Sequence, residues 1–134
     1  MTDLGREIEA DQSYHVLVVE DDHDVREALE EVLGSAGYGV ITARHGAEAL
    51  THLRSGSLPA LILLDLSMPV MDGVAFCAEQ KKDPRLAPIP IIVLSAAGAL
   101  ADKVSALAVA GYLRKPVRLD DLLTTVGRFC SIPS

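Results

Sequence analysis

The chain has 134 residues, of which 49% are hydrophobic and 4% aromatic, and its 12 basic and 19 acidic side chains give a net charge of −7. This length suits one domain that folds without a disulfide or a structural metal, and the apolar content excludes an intrinsically disordered chain. The acidic excess and the few aromatic rings argue against nucleic acid as a partner, because phosphate contacts need clustered Lys and Arg and base stacking needs aromatic rings.

The N-terminal stretch has four acidic residues, one Arg and no hydrophobic periodicity, so we expect a flexible acidic tail over residues 1–13. This stretch lacks the apolar core of a signal peptide, and no apolar run reaches the ~18 residues of a membrane span. We therefore expect a cytoplasmic protein that contacts no membrane. Cys77 and Cys130 are interpreted as apolar fillers of a reduced protein rather than as a disulfide.

Short apolar runs and helical periodicity alternate along the rest of the chain. Runs typical of strands that are buried on both faces occur at 16–19, 40–42, 61–64, 91–94 and 112–113. Apolar residues at helical spacing follow each run, in segments that begin near Asp24, Ala47, Gly73, Leu100 and Leu119. Parallel strands need such crossovers, so we predict an α/β fold: a doubly wound five-stranded parallel sheet, strand order 2-1-3-4-5, with five helices. The domain would span 14–130, followed by a C-terminal tail at 131–134.

Polar side chains follow four of the predicted strands. Glu20 and Asp21 follow strand one, and Asp65, Ser95 and Lys115 follow strands three, four and five. Ligands of an open α/β sheet bind beyond the carboxyl ends of its strands, at the switch point between strands one and three. Three carboxylates gathered there repel one another unless one of them takes up a proton or a cation neutralises them. A divalent cation with oxygen ligands is the natural answer, and Mg²⁺ suits a site with few protein ligands. A carboxylate nucleophile, a Mg²⁺ ion, an ammonium and a hydroxyl together predict phosphoryl transfer to Asp65.

Each of these residues also has an ordinary structural interpretation when it is taken alone. Acidic residues after a strand often cap the next helix, a role that we expect for Asp22 or Asp24. Lys115 alone would be a solvated surface lysine, and Ser95 alone would be a turn residue. Their joint placement at the strand ends favours the phosphoryl-transfer site.

Four motifs occur in order at these strand ends. They are Val-Leu-Val-Val-Glu20-Asp21-Asp22, Leu-Leu-Asp65-Leu-Ser-Met68-Pro69-Val-Met-Asp72-Gly73, Ile-Val-Leu-Ser95-Ala96 and Gly-Tyr112-Leu-Arg-Lys115-Pro116. With these motifs the chain resembles a response-regulator receiver domain, the phosphoacceptor module of two-component signalling. The resemblance extends over about 14–130, which is nearly the whole chain.

The resemblance implies that Asp65 takes a phosphoryl group from a phosphohistidine on a sensor histidine kinase or a histidine phosphotransfer protein. It also implies a bound Mg²⁺, for which Mn²⁺ could substitute. The implied metal ligands are Glu20, Asp21, Asp65 and the backbone carbonyl of Ser67. The residues implied to hold the phosphoryl group are Ser95, Ala96 and Lys115.

The resemblance further implies a conformational switch. Tyr112 would turn inward when Ser95 moves toward the phosphoryl group, although a plain buried ring is the alternative for Tyr112. The signal would leave through the face made by the fourth helix, the fifth strand and the fifth helix, toward an unknown protein target. Structural roles are implied for Pro69, Gly73 and Pro116. The Lys115–Pro116 peptide bond is typically cis in this family.

We therefore predict a single-domain phosphorylation switch that is not an enzyme beyond self-phosphorylation and slow autodephosphorylation. The alternative is a receiver-fold module that binds a protein without phosphorylation, for which Mg²⁺ would cause no saturable change. A phosphatase of the haloacid-dehalogenase type needs a second Asp two residues after the nucleophile, where this chain has Ser67. Flavin or dinucleotide binding is disfavoured because no G-x-G-x-x-G follows the first strand.

Overall fold

Strands and helices alternate along the chain, as the apolar pattern predicts. The computed structural model describes residues 14–56, 58–66, 73–95 and 108–131. The strands are β1 (His15–Val19), β2 (Gly39–Ala43), β3 (Leu61–Asp65), β4 (Ile91–Ser95) and β5 (Gly111–Arg114). The helices are α1 (His23–Ser35), α2 (Gly46–Ser55), α3 (Gly73–Lys82) and α4 (Leu119–Phe129). The remaining predicted helix, near Leu100, lies outside the described residues, as do the tail at 1–13 and residues 132–134.

All five strands are parallel and lie in the order β2-β1-β3-β4-β5. The predicted fold class and strand order are therefore confirmed. The chain reverses its direction of winding between β1 and β3, which pair directly, with Val19 opposite Leu64. The carboxyl ends of these two strands therefore meet at the switch point.

Two hydrophobic cores cover the two faces of the sheet, because successive side chains of a strand point to opposite faces. Leu17 and Val19 of β1 pack with residues of α2 and α3 on one face. Val16 and Val18 pack with residues of α1 and α4 on the other face. All residues of β3 and β4 are buried, which explains their uninterrupted apolar sequences.

Helix α1 begins at His23, one residue before the predicted start near Asp24. Asp22 caps its N-terminus, where Oδ1 accepts hydrogen bonds from the backbone N–H groups of Asp24 at 2.9 Å and Val25 at 3.2 Å. Beyond its C-terminus, Gly37 adopts a φ of 105°, which a residue with a Cβ rarely tolerates. The capping role expected for Asp22 is confirmed.

Helix α2 is capped at its N-terminus by His45, which the sequence pattern does not predict. Nδ1 of His45 accepts a hydrogen bond from the N–H of Glu48 at 3.2 Å, and the Glu48 carboxylate accepts one from the N–H of Arg44 at 2.8 Å. The hydrogen bonds from Arg44 hold the pKa of the Glu48 carboxyl below its usual value. This arrangement resembles a capping box, but His replaces the usual Ser or Thr and the Glu48 carboxylate binds the N–H of Arg44, one residue before the N-cap.

The two cysteines are buried in different cores and carry free thiols, as expected. Within the described part of the chain, no helix is both long enough and apolar enough to cross a bilayer.

Candidate functional site

Three carboxylates converge where β1 and β3 end. Glu20 directly follows β1 and is fully buried, and its N–H donates to the carbonyl of Ala43 at 3.0 Å, which extends the pairing of β1 with β2. Asp65 is the last residue of β3, and its exposed fraction is 5%. Carboxylate oxygens of Glu20, Asp21 and Asp65 all lie within 4.8 Å of one another. The structure thus brings together the three acidic residues that the strand-end argument selects.

Lys115 enters this cluster from the end of β5. Its Nζ donates a hydrogen bond to Oε1 of Glu20 at 2.7 Å and lies 3.6 Å from Oδ2 of Asp65. Burial lowers the pKa of the Lys115 ammonium, but the hydrogen bond and charge of Glu20, with the charge of Asp65, outweigh this effect and raise it. Lys115 is therefore charged at neutral pH, and its interpretation as a solvated surface lysine is wrong.

The backbone around Lys115 ties β5 to β4. The N–H of Lys115 donates to the carbonyl of Ser95 at 3.0 Å, and the Lys115–Pro116 peptide bond is cis, as the resemblance implies. Ser95 is the last residue of β4 and is buried. It comes one position after Leu94, which pairs with Asp65. Ser95 therefore lies at the same edge of the sheet as the three carboxylates.

Gly73 allows helix α3 to begin directly against the end of β3. Its N–H donates to the carbonyl of Leu66 at 2.9 Å. A Cβ at this position would lie 2.7 Å from Cα of Leu66 and 3.0 Å from the carbonyl oxygen of Asp65. No side chain fits there unless the backbone beside Asp65 shifts. This contact gives a physical reason for the structural role that the resemblance implies for Gly73.

Of the remaining predicted site residues, the structure describes Tyr112, whereas Ser67, Pro69 and Ala96 lie outside the described residues. Tyr112 is exposed, with an exposed fraction of 44% for the residue, so the alternative of a plain buried ring is wrong. The role of Tyr112 in a switch stays a prediction.

Arg26 also contacts the site, although none of the strand-end motifs includes it. Its Nη1 donates to the backbone carbonyl of Glu20 at 2.9 Å and lies 3.4 Å from that of Asp21. A signal was present in the sequence, since Arg26 is the first Arg or Lys after the four acidic residues of 20–24 and lies one helical turn beyond the N-cap Asp22.

The donor set fits Mg²⁺. Glu20, Asp21 and Asp65 offer hard carboxylate oxygens, the ligands that this ion prefers. Glu20 and Asp65 are buried and Asp21 is exposed, so the cluster has one side open to the water molecules that Mg²⁺ retains. Three carboxylates and one ammonium leave a formal charge of −3 + 1 = −2, which a divalent cation balances.

Comparison with known proteins agrees with this geometry. The family model described as response regulator receiver domain matches residues 16–127. Over 112 residues the chain is 38% identical to the "Probable transcriptional regulator ycf27" of Guillardia theta, with 82% of this chain and 42% of that protein covered. It is 38% identical over 113 residues to the response regulator MprA of Mycobacterium bovis, with 83% and 48% covered. The chain thus spans less than half the length of these curated relatives.

Solved structures show the same architecture. The chemotaxis protein CheY4 of Vibrio cholerae aligns with a TM-score of 0.78 and 31% identity, over 86% of this chain and 97% of that one. A response regulator receiver protein from Pseudomonas putida aligns with a TM-score of 0.79 and 33% identity, over 85% of this chain and 95% of that one.

Proposed function

Because the chain belongs to the response regulator receiver domain family, we propose that it is a phosphorylation switch in which Asp65 accepts a phosphoryl group from a phosphohistidine of a partner protein. One observation carries the proposal: the buried carboxylate of Asp65 ends β3 beside two further carboxylates, with the ammonium of Lys115 at 3.6 Å. Phosphoryl transfer to a carboxylate needs a nucleophile, a cation site and a positively charged side chain beside them.

The transfer step is a displacement at phosphorus. An oxygen of the Asp65 carboxylate forms the new bond, and the bond from phosphorus to the imidazole nitrogen of the donor breaks. The electron pair of that bond stays on the nitrogen, so the donor leaves as a histidine. The product is an acyl phosphate on Asp65, and its slow hydrolysis returns the carboxylate and inorganic phosphate. In this role the chain is a phosphoacceptor and not an enzyme that turns over a separate substrate.

Three residues would surround the phosphoryl group once it is on Asp65: Lys115, Ser95 and Ala96. The ammonium of Lys115 is held by Glu20 at 2.7 Å, close enough to Asp65 to pair with a phosphoryl oxygen once the group arrives. Ser95 ends the neighbouring strand, where its hydroxyl would donate to a second oxygen. The small side chain of Ala96 would leave room for the group.

The same carboxylates would hold the metal ion. We assign Glu20, Asp21, Asp65 and the backbone carbonyl of Ser67 as ligands of Mg²⁺, with Mn²⁺ as a substitute. When it is bound, the ion neutralises the negative charge that collects on the phosphoryl oxygens and on the carboxylates around them. The support for this assignment is the set of carboxylate oxygens within 4.8 Å.

The signal would leave through β5 and α4 with the segment 96–107. The N–H of Lys115 donates a hydrogen bond to the carbonyl of Ser95. A movement of Ser95 at the end of β4 would therefore also displace the backbone at the end of β5. Tyr112 lies on β5 with an exposed ring, and burial of this ring in the phosphorylated protein would change the surface offered to a downstream target. The phosphoryl donor would be a sensor histidine kinase or a histidine phosphotransfer protein.

Incubation with acetyl phosphate and Mg²⁺ tests the proposal, with gel retardation by an immobilised phosphate-binding ligand as the readout. We expect the wild-type protein to be retarded. Asp65→Asn should not be retarded, because the side-chain amide of Asn is not a nucleophile. Asp83→Asn, a change in the loop before β4, is the matched control and should behave like the wild type. Equal retardation of the wild type and Asp65→Asn contradicts the proposal. A wild type that shows neither retardation nor a saturable response to Mg²⁺ would favour a binding module that works without phosphorylation.

A further inference from the structure

The side chain of Arg26 returns from helix α1 to the loop that carries two of the three carboxylates. One guanidinium nitrogen, Nη1, donates to the carbonyl of Glu20 at 2.9 Å and approaches that of Asp21 at 3.4 Å. The other, Nη2, lies 3.2 Å from Nδ1 of His23. A single planar group thus connects the end of β1 to the first turn of α1.

The position of Arg26 is itself supported by its neighbours on α1. Nε2 of His23 pairs with the carboxylate of Glu27 one turn further on. With the Nε2 proton directed at Glu27, Nδ1 of His23 is the acceptor for Arg26. Glu27 therefore orients the ring of His23, and His23 in turn orients the guanidinium of Arg26 that binds the carbonyl of Glu20.

Arg26 contacts the backbone of the acidic loop and leaves its carboxylate oxygens available. Lys115, in contrast, binds Oε1 of Glu20 directly at 2.7 Å. The remaining Glu20 oxygen, Oε2, accepts a hydrogen bond from the N–H of Asp22 at 3.3 Å. The loop is thus held through two carbonyls and one N–H, while the oxygens that would face an ion stay near one another.

We propose that Arg26 is a positioning residue that fixes the backbone of Glu20 and Asp21, so that their carboxylates converge before the metal ion arrives. The inference rests on the proposed function, since it concerns the same metal site. Groups that orient metal ligands from behind typically change metal affinity by about 10- to 100-fold. The positive charge of Arg26 acts in the opposite direction, because it repels a cation. Orientation outweighs this repulsion here, because the guanidinium is bound to carbonyls and not to the ligand oxygens.

Two substitutions separate orientation from charge. Arg26→Met removes the charge and the hydrogen bonds, whereas Arg26→Lys keeps the charge and loses the planar fork. If Arg26 positions the loop, both variants bind Mg²⁺ more weakly, by about tenfold. If its charge alone mattered, Arg26→Met would bind Mg²⁺ more tightly and Arg26→Lys would match the wild type. Arg54→Met, an exposed change on α2, is the matched control.

The affinity for Mg²⁺ is read from amide chemical shifts in an NMR titration of each variant. In the metal-free proteins, we expect faster hydrogen exchange at the amides of Asp22 and Asp24 in both Arg26 variants. Phosphorylation by acetyl phosphate should return to about the wild-type rate once Mg²⁺ is saturating, because only binding is impaired. If Arg26→Met does not fold, Arg26→Lys decides the question.

Unchanged or tighter Mg²⁺ binding in the variants would overturn the role of Arg26 and leave the proposed function intact. A wild type that gives no saturable Mg²⁺ response would overturn the proposed function and this inference together. The two failures are therefore distinguishable in the same titration.

Discussion

The Nζ atom of Lys115 lies 2.7 Å from Oε1 of Glu20, although 95 positions separate the two residues in the chain. The pair joins the end of the edge strand β5 to the end of the inner strand β1. Glu20 is fully buried, and its negative charge is tolerated because a partly buried ammonium contacts it. The same ammonium occupies a carboxylate oxygen that a metal ion would use, so Lys115 and a bound ion would compete for Glu20.

This competition leads to opposite expected effects when Lys115 is replaced. We expect Lys115→Met to bind Mg²⁺ more tightly, by about tenfold, because the formal charge of the cluster changes from −2 to −3. Phosphorylation by acetyl phosphate should nevertheless slow by about 10²-fold or more, because the cation for the phosphoryl oxygens is lost. Calorimetric Mg²⁺ titration and initial labelling rates measure the two effects. Lys82→Met, an exposed change on α3, is the control. Weaker Mg²⁺ binding by Lys115→Met would contradict a competition between Lys115 and the ion for Glu20.

Gly73 should not tolerate a side chain. A Cβ there would lie 2.7 Å from Cα of Leu66, which is backbone and cannot rotate away. We expect Gly73→Ala to lower the free energy of unfolding by about 1–3 kcal/mol and to slow phosphorylation of Asp65. Gly34→Ala is the matched control, since nothing lies within 4 Å of its added Cβ in the last turn of α1. That change should stabilise by about 0.5–1 kcal/mol in urea unfolding. Equal stability of the two variants would disprove the steric argument.

Gln80 holds the loop that precedes β4. Its buried Nε2 donates to the carbonyls of Leu86 at 2.8 Å, Ala87 at 3.3 Å and Ile89 at 3.1 Å. We expect Gln80→Met to lower the free energy of unfolding by about 1–3 kcal/mol, because buried carbonyls lose their donor. Lys81→Met, at the exposed neighbouring position, should change little. Chemical denaturation of both variants measures the difference, and a fully stable Gln80→Met would refute it.

The two buried thiols should make the protein less stable in alkali. Burial raises the pKa of Cys77 and of Cys130 to about 11, from an ordinary value of 9.0. The folded state therefore binds these protons more tightly than the unfolded state does. The stability that the thiols contribute is fully present below pH 9 and is lost as the pH rises to about 11. Replacement of both cysteines by Ala should flatten the fall of unfolding free energy between pH 9 and 11, and an unchanged slope would contradict this.

The sequence predicts the sheet well because burial on both faces leaves a strong pattern. β3 and β4 appear as uninterrupted apolar runs, and the predicted start of α3 at Gly73 is confirmed. The convergence of Glu20 and Asp65 follows from strand order alone, since β1 and β3 are neighbours. Position along a strand was therefore enough to predict the acidic cluster.

Features that depend on the direction of a long side chain could not be predicted in this way. Arg26 and Gln80 both bind backbone carbonyls through side chains that leave their own helix, and helical periodicity carries no information about that. The cap of α2 was missed because His45 is not a typical capping residue. The exposure of Tyr112 likewise depends on what covers the edge strand β5, and the pattern of β5 itself does not encode it.

Chemical trapping of the phosphorylated residue tests most directly whether Asp65 is the phosphoacceptor. Borohydride reduces an acyl phosphate and leaves a modified side chain, which peptide mass spectrometry locates after treatment of the protein with acetyl phosphate and Mg²⁺. We expect one modified position, Asp65, and no modification when Mg²⁺ is removed by a chelator. Modification at another acidic residue, or none at any residue in the presence of Mg²⁺, would contradict this expectation.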